Sequence, residues 1–200
     1  MSALNDVKTV VLDLDGTLYD KRGLAARLTA CLWWCLPVLA AERLSRRNMH
    51  YLQFTSEEEF YSHFFAMMSL GHLWTAGMAA WWHRRIYMPL MVQLIGKTCK
   101  KRQEALDIIE ACKARRLKMA IYSDYGCVEE KLRVLDIDSK QFELLISAPE
   151  LGSLKPSEDC ARQVLEMLGA DPQTTLFVGD RWDTDGASAM AVGAKFYLIK

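Results

Sequence analysis

Two carboxylates stand two residues apart at the end of a short apolar run, in residues 10–17 (VVLDLDGT). The run is rich in β-branched residues and uncharged, which predicts a buried strand. Gly16 predicts that the chain turns directly afterwards, so that Asp15 comes back toward Asp13. Two carboxylates at the carboxyl end of a buried strand repel each other, and they therefore indicate a catalytic task or a bound cation.

Helices and strands alternate from about residue 99 onward, a pattern that predicts a parallel α/β sheet. Strands are predicted at 118–122, 144–147, 175–178 and 196–199, and helices at 101–116, 128–135, 158–168 and 186–192. Polar side chains follow several of these strands, at the carboxyl ends where open α/β sheets bind their ligands.

The segment between residue 19 and about residue 98 is predicted to be helical, with breaks near Pro37, Gly71 and Pro89. Residues 55–59 (TSEEE) predict the start of one helix, because a hydroxyl cap is followed by acids in the first turn.

The longest uncharged apolar stretch is residues 28–41. It is shorter than the roughly 20 residues that a membrane span needs, so we interpret it as a buried helix and do not expect a membrane-spanning segment. The alternative is a helix lying on a membrane surface, because Trp33 and Trp34 precede a basic cluster that ends at Arg47.

Charge is divided unevenly along this chain of 200 residues, whose net charge is zero. Residues 21–100 hold ten Lys/Arg against four Asp/Glu, and the rest of the chain is acidic by the same margin. A basic segment facing an acidic body suits an anionic substrate, although such charges also solvate helix faces. No motif for nucleic-acid binding is present.

The six cysteines include no Cys-x-x-Cys pair, and no secretory signal precedes the first strand. We interpret them as reduced thiols and predict a cytoplasmic protein.

The opening motif resembles the first motif of the haloacid dehalogenase-like (HAD) hydrolase superfamily, Asp-x-Asp-Gly-Thr. Three further segments resemble the other HAD motifs in the family's order, and they contain Ser123 (YSDYG), Lys155 (LKP) and residues 178–185 (VGDRWDTD). The resemblance implies a Rossmann-like three-layer αβα core with a parallel sheet. It also implies that residues 1–18 and 99–200 form this catalytic core and that residues 19–98 form a helical cap of the C1 type.

The same resemblance implies a role for each matching residue. Asp13 would be the nucleophile that forms an aspartyl-phosphate, and Asp15 the general acid/base that distinguishes the phosphatases from the dehalogenases. Ser123 would donate to a phosphate oxygen, and Lys155 would bind phosphate and offset charge on Asp13. Taken alone, a serine after a strand is more typical of a helix cap, and Asp124 beside it, which has no assigned role, could be the cap instead.

The resemblance further implies a magnesium ion held by oxygen ligands. Asp13, Asp180, and the backbone carbonyl of Asp15 would bind the ion, and Asp185 would act through water or orient its neighbours. Asp183 is an alternative to Asp185, and the spacing does not decide between them.

In the predicted cap, Lys21, Arg22, Arg84 and Arg85 are candidates for binding anionic groups of the substrate, with a solvated surface role as the default. Five of the six tryptophans lie in this segment. They indicate a helical core or, alternatively, a hydrophobic substrate pocket or a homodimer surface.

The function that these motifs imply is Mg²⁺-dependent hydrolysis of a small phosphorylated metabolite, a phosphate monoester. The alternatives are a phosphomutase, which returns the phosphoryl group to a bound sugar, and a non-catalytic protein that uses the fold for binding.

Overall fold

The computed structural model describes residues 4, 6–69 and 74–199. Its strands are β1 (Thr9–Leu12), β2 (Lys118–Ser123), β3 (Leu144–Ser147), β4 (Thr175–Gly179) and β5 (Lys195–Leu198). Within the described residues they form a parallel sheet in the order β3-β2-β1-β4-β5. The predicted parallel sheet is confirmed, including the last strand, and β1 lies at its centre.

The helices fall into two sets along the chain. Between β1 and β2 lie α1 (Leu24–Cys31), α2 (Leu36–Met49), α3 (Glu57–Ser69), α4 (Ala76–Trp82), α5 (Met88–Thr98) and α6 (Gln103–Ala114). After β2 come α7 (Val128–Val134), α8 (Glu158–Leu168) and α9 (Ala187–Ala191). We refer to α1–α5 as the inserted helices.

Two apolar layers cover the two faces of the sheet, as the alternation of side chains along a strand requires. Val10 and Leu12 pack in a cluster with residues of α6, α7 and the inserted helices. Val11 points to the opposite face and packs in a second cluster with residues of α8 and α9. The three-layer αβα arrangement is therefore confirmed, and it leaves the carboxyl ends of the strands free for polar residues.

Most helix boundaries agree with the sequence pattern, and one predicted break is wrong. The predicted start at residues 55–59 is confirmed, because Ser56 accepts a hydrogen bond from the backbone of Glu59 at 3.2 Å. The helix does not break at Pro89. A π-helical segment at His83–Tyr87 joins α4 to α5, and the proline, which lacks a backbone donor, lies in the first turn of α5. Gly71 lies outside the described residues.

The stretch at residues 28–41 is only half buried, which corrects the prediction of a buried helix. It bends into a 3₁₀ turn at Trp33–Cys35, and α2 begins directly after it, as the predicted break near Pro37 requires. Leu32 and Leu39 are buried, whereas Trp33 and Trp34 are exposed. The apolar stretch therefore has one face in the core and one face in solvent.

Two antiparallel segments, residues 18–20 and 100–102, connect the inserted helices to the sheet. Tyr19 and Lys101 form an isolated bridge, and Arg102 donates from its backbone to the Leu18 carbonyl at 2.9 Å. A second backbone bond runs from Asp20 to the carbonyl of Lys100. The chain thus leaves and re-enters the sheet layer at one place, next to the end of β1.

His83 is buried among aromatic rings in the core of the inserted helices. Its ring centroid lies 5.5 Å from those of Phe64, Phe65 and Tyr87, and its Nε2 has no hydrogen-bond partner among the described residues. Burial, together with Arg46, lowers the pKa of His83 to about 3. The imidazole is therefore neutral in the folded protein at neutral pH.

This neutral histidine predicts a loss of stability in acid. The ordinary pKa of 6.5 applies to the unfolded chain, so below that pH the unfolded chain binds a proton that the folded chain does not. The contribution is fully present above pH 6.5 and falls by about 1.4 kcal/mol per pH unit as the pH drops toward the folded-state value. Urea unfolding between pH 7 and pH 5 should show a shallower loss for His83→Gln than for wild type. The exposed His63→Gln should behave like wild type, and parallel curves for all three proteins would contradict the prediction.

Candidate active site

The turn after β1 brings two carboxylates to the carboxyl edge of the sheet. Asp13 continues the strand pairing by donating from its backbone to the Val178 carbonyl at 2.8 Å. The chain then turns at Gly16, whose φ is 107°. A Cβ at Gly16 would lie 2.5 Å from Asp180 Oδ2 and 2.6 Å from Lys21 Nζ. The turn therefore requires glycine for its backbone angle, and a larger residue would also displace the ends of the Asp180 and Lys21 side chains.

Asp13 is buried and is held at both carboxylate oxygens. Lys155 Nζ donates to Oδ1 at 2.7 Å, and the Thr17 hydroxyl donates to Oδ2 at 2.8 Å. Burial opposes ionisation of Asp13, but the Lys155 ammonium and these hydrogen bonds lower its pKa below the ordinary value. Asp13 is therefore a carboxylate at neutral pH, fixed in orientation and available as a nucleophile.

Lys155 links this carboxylate to a second one after β4. Its Nζ also donates to Asp185 Oδ1 at 2.5 Å and to the Tyr122 carbonyl at 3.1 Å. Burial raises the pKa of Asp185 to about 7, because desolvation outweighs the attraction of Lys155 and Asp13 adds repulsion. A single buried ammonium thus lies against two carboxyl groups, of which Asp13 is ionised and Asp185 is partly ionised at neutral pH.

A third acid, Asp180, completes the cluster. Of the two alternatives that the spacing leaves open, Asp185 lies in this cluster and Asp183 does not. Oxygen atoms of Asp13, Asp180 and Asp185 lie within 4.8 Å of one another. Asp183 instead forms an ion pair with Arg181, and its side chain is exposed. Oxygen ligands at this spacing are the donor set that Mg²⁺ prefers, so the described residues fit a magnesium ion.

Lys21 places a positive charge beside this cluster. Its Nζ lies 2.9 Å from the backbone carbonyl oxygen of Asp15 and 2.7 Å from Asp180 Oδ2. The carbonyl and the carboxylate are two of the ligands predicted for the metal ion. These two oxygen atoms therefore attract a cation, and here that cation is the ammonium group of Lys21.

Asp15 is bound by a different set of groups. The Lys131 ammonium donates to both carboxylate oxygens, at 2.9 and 2.7 Å, and is fully buried. Ser123 Oγ donates to Oδ2 at 2.9 Å, and the Tyr19 hydroxyl donates to Oδ1 at 2.5 Å. Burial raises the pKa of Tyr19 and the Asp15 carboxylate raises it further, so this hydroxyl keeps its proton. Ser123, predicted to bind phosphate, contacts Asp15 in this structure.

Asp124, which had no role in the sequence analysis, fixes the loop that carries Lys155. Its Oδ1 accepts a hydrogen bond from the Lys155 backbone at 2.7 Å. The His50 ring lies 3.1 Å from the Lys155 carbonyl oxygen, and Arg46 lies over the Tyr125 ring at 4.1 Å. Arg46 of α2 and His50, directly after this helix, therefore reach the loops at the edge of the sheet.

A cavity of ≈ 460 Å³ opens between Asp15 and the inserted helices. Its polar lining includes Asp15, Tyr19, Lys21, Arg43, Arg47 and His50. Apart from Asp15 and Glu42, the charged groups that line it are cationic. The cavity therefore favours an anionic guest, which would lie next to Asp15.

The structure brings some of the predicted site residues together and leaves others outside. Asp13, Asp15, Ser123, Lys155, Asp180 and Asp185 meet at the sheet edge, together with Lys21. Arg22 turns away to pair with Asp20. Arg84 and Arg85 are exposed and do not line this cavity.

Lys131 and Tyr19, which make the two shortest side-chain contacts with Asp15, belong to none of the sequence motifs. Lys131 stands on the buried face of α7, between the apolar residues Val128 and Leu132. A lysine at an apolar helix position is the signal that would have marked it, because lysine is almost never fully buried without a partner.

Comparison with known proteins agrees with the motifs. Residues 7–193 match the family described as haloacid dehalogenase-like hydrolase. A phosphoglycolate phosphatase of Aquifex aeolicus is 34% identical over 92 residues, which are 45% of this chain and 42% of that protein. Haloacid dehalogenase-like hydrolase domain-containing protein 3 of Xenopus laevis is 26% identical over 183 residues, which are 91% of this chain and 63% of that protein. The chain thus spans less than two thirds of the length of either relative.

Solved structures share the fold. The magnesium-bound structure of YfnB from Bacillus subtilis has a TM-score of 0.68 at 16% identity, covering 96% of this chain and 88% of that one. CbbY from Rhodobacter sphaeroides, in complex with phosphate, has a TM-score of 0.67 at 18% identity, covering 95% and 84%.

The buried cluster predicts that Lys155 is essential for stability. Lys155→Met leaves the carboxylates of Asp13 and Asp185 without their ammonium partner, which should cost about 3–5 kcal/mol of unfolding free energy at neutral pH. Adding Asp185→Asn should restore part of the loss, because one of the unpaired charges is removed. Urea unfolding measures both effects, with Lys113→Met as the control, since Lys113 is an exposed partner of Glu110. Equal stability of the two lysine variants would contradict the interpretation.

Proposed function

This chain belongs to the haloacid dehalogenase-like hydrolase family, and we propose that it hydrolyses a small phosphate monoester through a phosphorylated Asp13. The observation that carries the proposal is the buried contact between Asp13 and Lys155, next to a second carboxylate, Asp15, that is bound by other groups. Two carboxylates in different environments can take two different roles, one as nucleophile and one in proton transfer.

In the proposed first step, a carboxylate oxygen of Asp13 forms a bond to phosphorus while the bond from phosphorus to the ester oxygen breaks. Asp15, in its protonated form, gives a proton to the departing oxygen. The Lys155 ammonium, 2.7 Å from Asp13, offsets negative charge on the nucleophile and on the transferring group.

In the second step, Asp15 takes a proton from water as the water oxygen bonds to phosphorus. The bond between Asp13 and phosphorus breaks, inorganic phosphate leaves, and the Asp13 carboxylate is regenerated. Ser123 and Lys131 both donate to the Asp15 carboxylate, which fixes its orientation and supports its use as the base in this step.

A magnesium ion would be held by Asp13, Asp180 and the backbone carbonyl of Asp15, with Asp185 beside them. When bound, Mg²⁺ reduces the repulsion between the phosphate and the carboxylate nucleophile and draws charge from the phosphoryl oxygens.

We further propose that residues 19–98 form a cap over the site. The paired segments around Tyr19 and Lys101 support a boundary between cap and core, because the chain leaves the core and returns to it at two neighbouring positions. The cationic cavity between Asp15 and α2 supports a substrate that carries a second polar or anionic group besides the phosphate.

The six cysteines are free thiols, which supports the cytoplasm as the compartment.

Phosphate release tests the proposal. Wild type should release phosphate from members of a panel of phosphate monoesters with Mg²⁺ and should not do so with EDTA. Asp13→Asn should lose the activity by at least about a thousandfold, because an amide cannot form the acyl-phosphate. Asp183→Asn is the matched control, since Asp183 is exposed and paired with Arg181, and it should keep wild-type activity.

The same assay separates the alternatives. A phosphomutase would isomerise a sugar phosphate without net release, which product analysis detects. Folded wild type that neither releases nor transfers phosphate with any member of the panel would overturn the enzymatic proposal.

The position of Lys21 predicts a second, independent result. Its ammonium lies where a cation would bind, so Lys21→Met should strengthen Mg²⁺ binding by about tenfold. Titration calorimetry measures the affinity without turnover. Arg22→Gln, which changes an exposed neighbouring charge, is the control. Unchanged or weaker binding by the Lys21 variant would show that the ammonium does not compete with the ion.

A further inference from the structure

An apolar groove of ≈ 410 Å³ lies on the inserted helices, and its lining residues differ from those of the active-site cavity. We call it the Trp groove. It is lined chiefly by Trp34, Trp74, Met78, Trp81, Trp82 and Ile86. It joins the bend between α1 and α2 to α4, which are distant in sequence.

The rim of the Trp groove is unusually exposed for such large apolar side chains. Trp34 is 57% exposed, Met78 53% and Trp81 60%. Next to Trp34 in the chain, Trp33 is 72% exposed and Leu36 is 45% exposed. Contiguous apolar surface of this kind marks a place where another surface binds, because burying it is favourable by about 25 cal/mol per Å².

The charge around the groove selects the kind of partner. Residues 21–41 and 60–103 contain no Asp or Glu, and these ranges include every residue that lines the groove. Arg84 and Arg85 follow Trp81 by three and four residues and are exposed. Tryptophan with arginine and without acids is the composition of helices that bind anionic membrane surfaces.

The helices around the groove suit a surface position rather than a span. Within the described residues, no single helix is long and apolar enough to cross a membrane. Leu24–Cys31 and Trp33–Met49 have the required length and composition only together, and they are bent by 76° at the break. The longer of the two helices, α2, extends about 21 Å, less than the roughly 30 Å of a bilayer core.

A second copy of the chain fits the groove less well. A symmetric dimer places the same patch on both sides of the interface, so the cationic segments that form the groove would approach each other. An anionic bilayer presents the opposite charge and also accepts the indole rings at its interface. We propose that the Trp groove and the exposed side chains of Trp33 and Leu36 dock the protein on the surface of an anionic lipid bilayer.

Vesicle co-sedimentation of the full chain tests this proposal and does not depend on catalysis. Wild type should sediment with vesicles that contain phosphatidylglycerol and much less with phosphatidylcholine alone, and high salt should weaken the binding. The double variant Trp34→Ala/Trp81→Ala should bind at least about tenfold more weakly. Trp182→Ala is the matched control, because Trp182 is equally exposed but lies against Phe196 beside the sheet, and it should bind like wild type.

Further variants and measurements distinguish binding to a lipid surface from binding to another partner. Arg84→Gln/Arg85→Gln should reduce binding to the anionic vesicles but not the weak binding to phosphatidylcholine. Thermal unfolding establishes that each variant is folded. The proposal is overturned if wild type does not sediment with anionic vesicles, or if the Trp182 variant loses binding as strongly as the Trp34/Trp81 variant. It is also overturned if light scattering shows a dimer that the Trp34/Trp81 variant cannot form, since a second copy then occupies the groove.

Discussion

The buried ammonium of Lys155 is the interaction on which the rest of the site depends. Carboxylates lose their solvation when they are buried, and Asp13 and Asp185 share this one cation at 2.7 and 2.5 Å. One positive charge does not neutralise this pair completely at neutral pH, because Asp13 is ionised and Asp185, with a pKa of about 7, is partly ionised. The remaining attraction for a cation accounts for the inward position of Lys21 and for the fit of a magnesium ion to the same oxygens.

Asp13 and Asp15 show how a short turn can separate two similar groups chemically. They are two residues apart, yet each is bound by its own lysine, Lys155 for the first and Lys131 for the second. Lys155 comes from the loop after β3 and Lys131 from α7, so the two environments are set by different elements of the fold. A change in one environment can therefore alter one carboxylate and leave the other intact.

The sequence predicts most of the fold because its strands are short apolar runs whose neighbours are clearly helical. The acids after β1 and β4 could also be predicted, since several carboxylates in one place are rarely only helix caps. Lys131 belongs to no motif and its partner Asp15 is far away in sequence, so only its place on the apolar face of a helix marks it. The exposure of Trp33 and Trp34 escaped prediction for a related reason: periodicity identifies apolar side chains but not whether another element covers them.

The central place of β1 has a consequence for how the chain is made. This strand is synthesised first, but it pairs on one side with residues near 118 and on the other with residues near 175. One edge of β1 therefore remains without its partner until residues 118–121 have left the ribosome, and the other edge until residues 175–178 have done so. An apolar strand with open edges is prone to aggregate, and long-range pairing is slow to form. A fold whose central strand is made last would expose such edges for a shorter time.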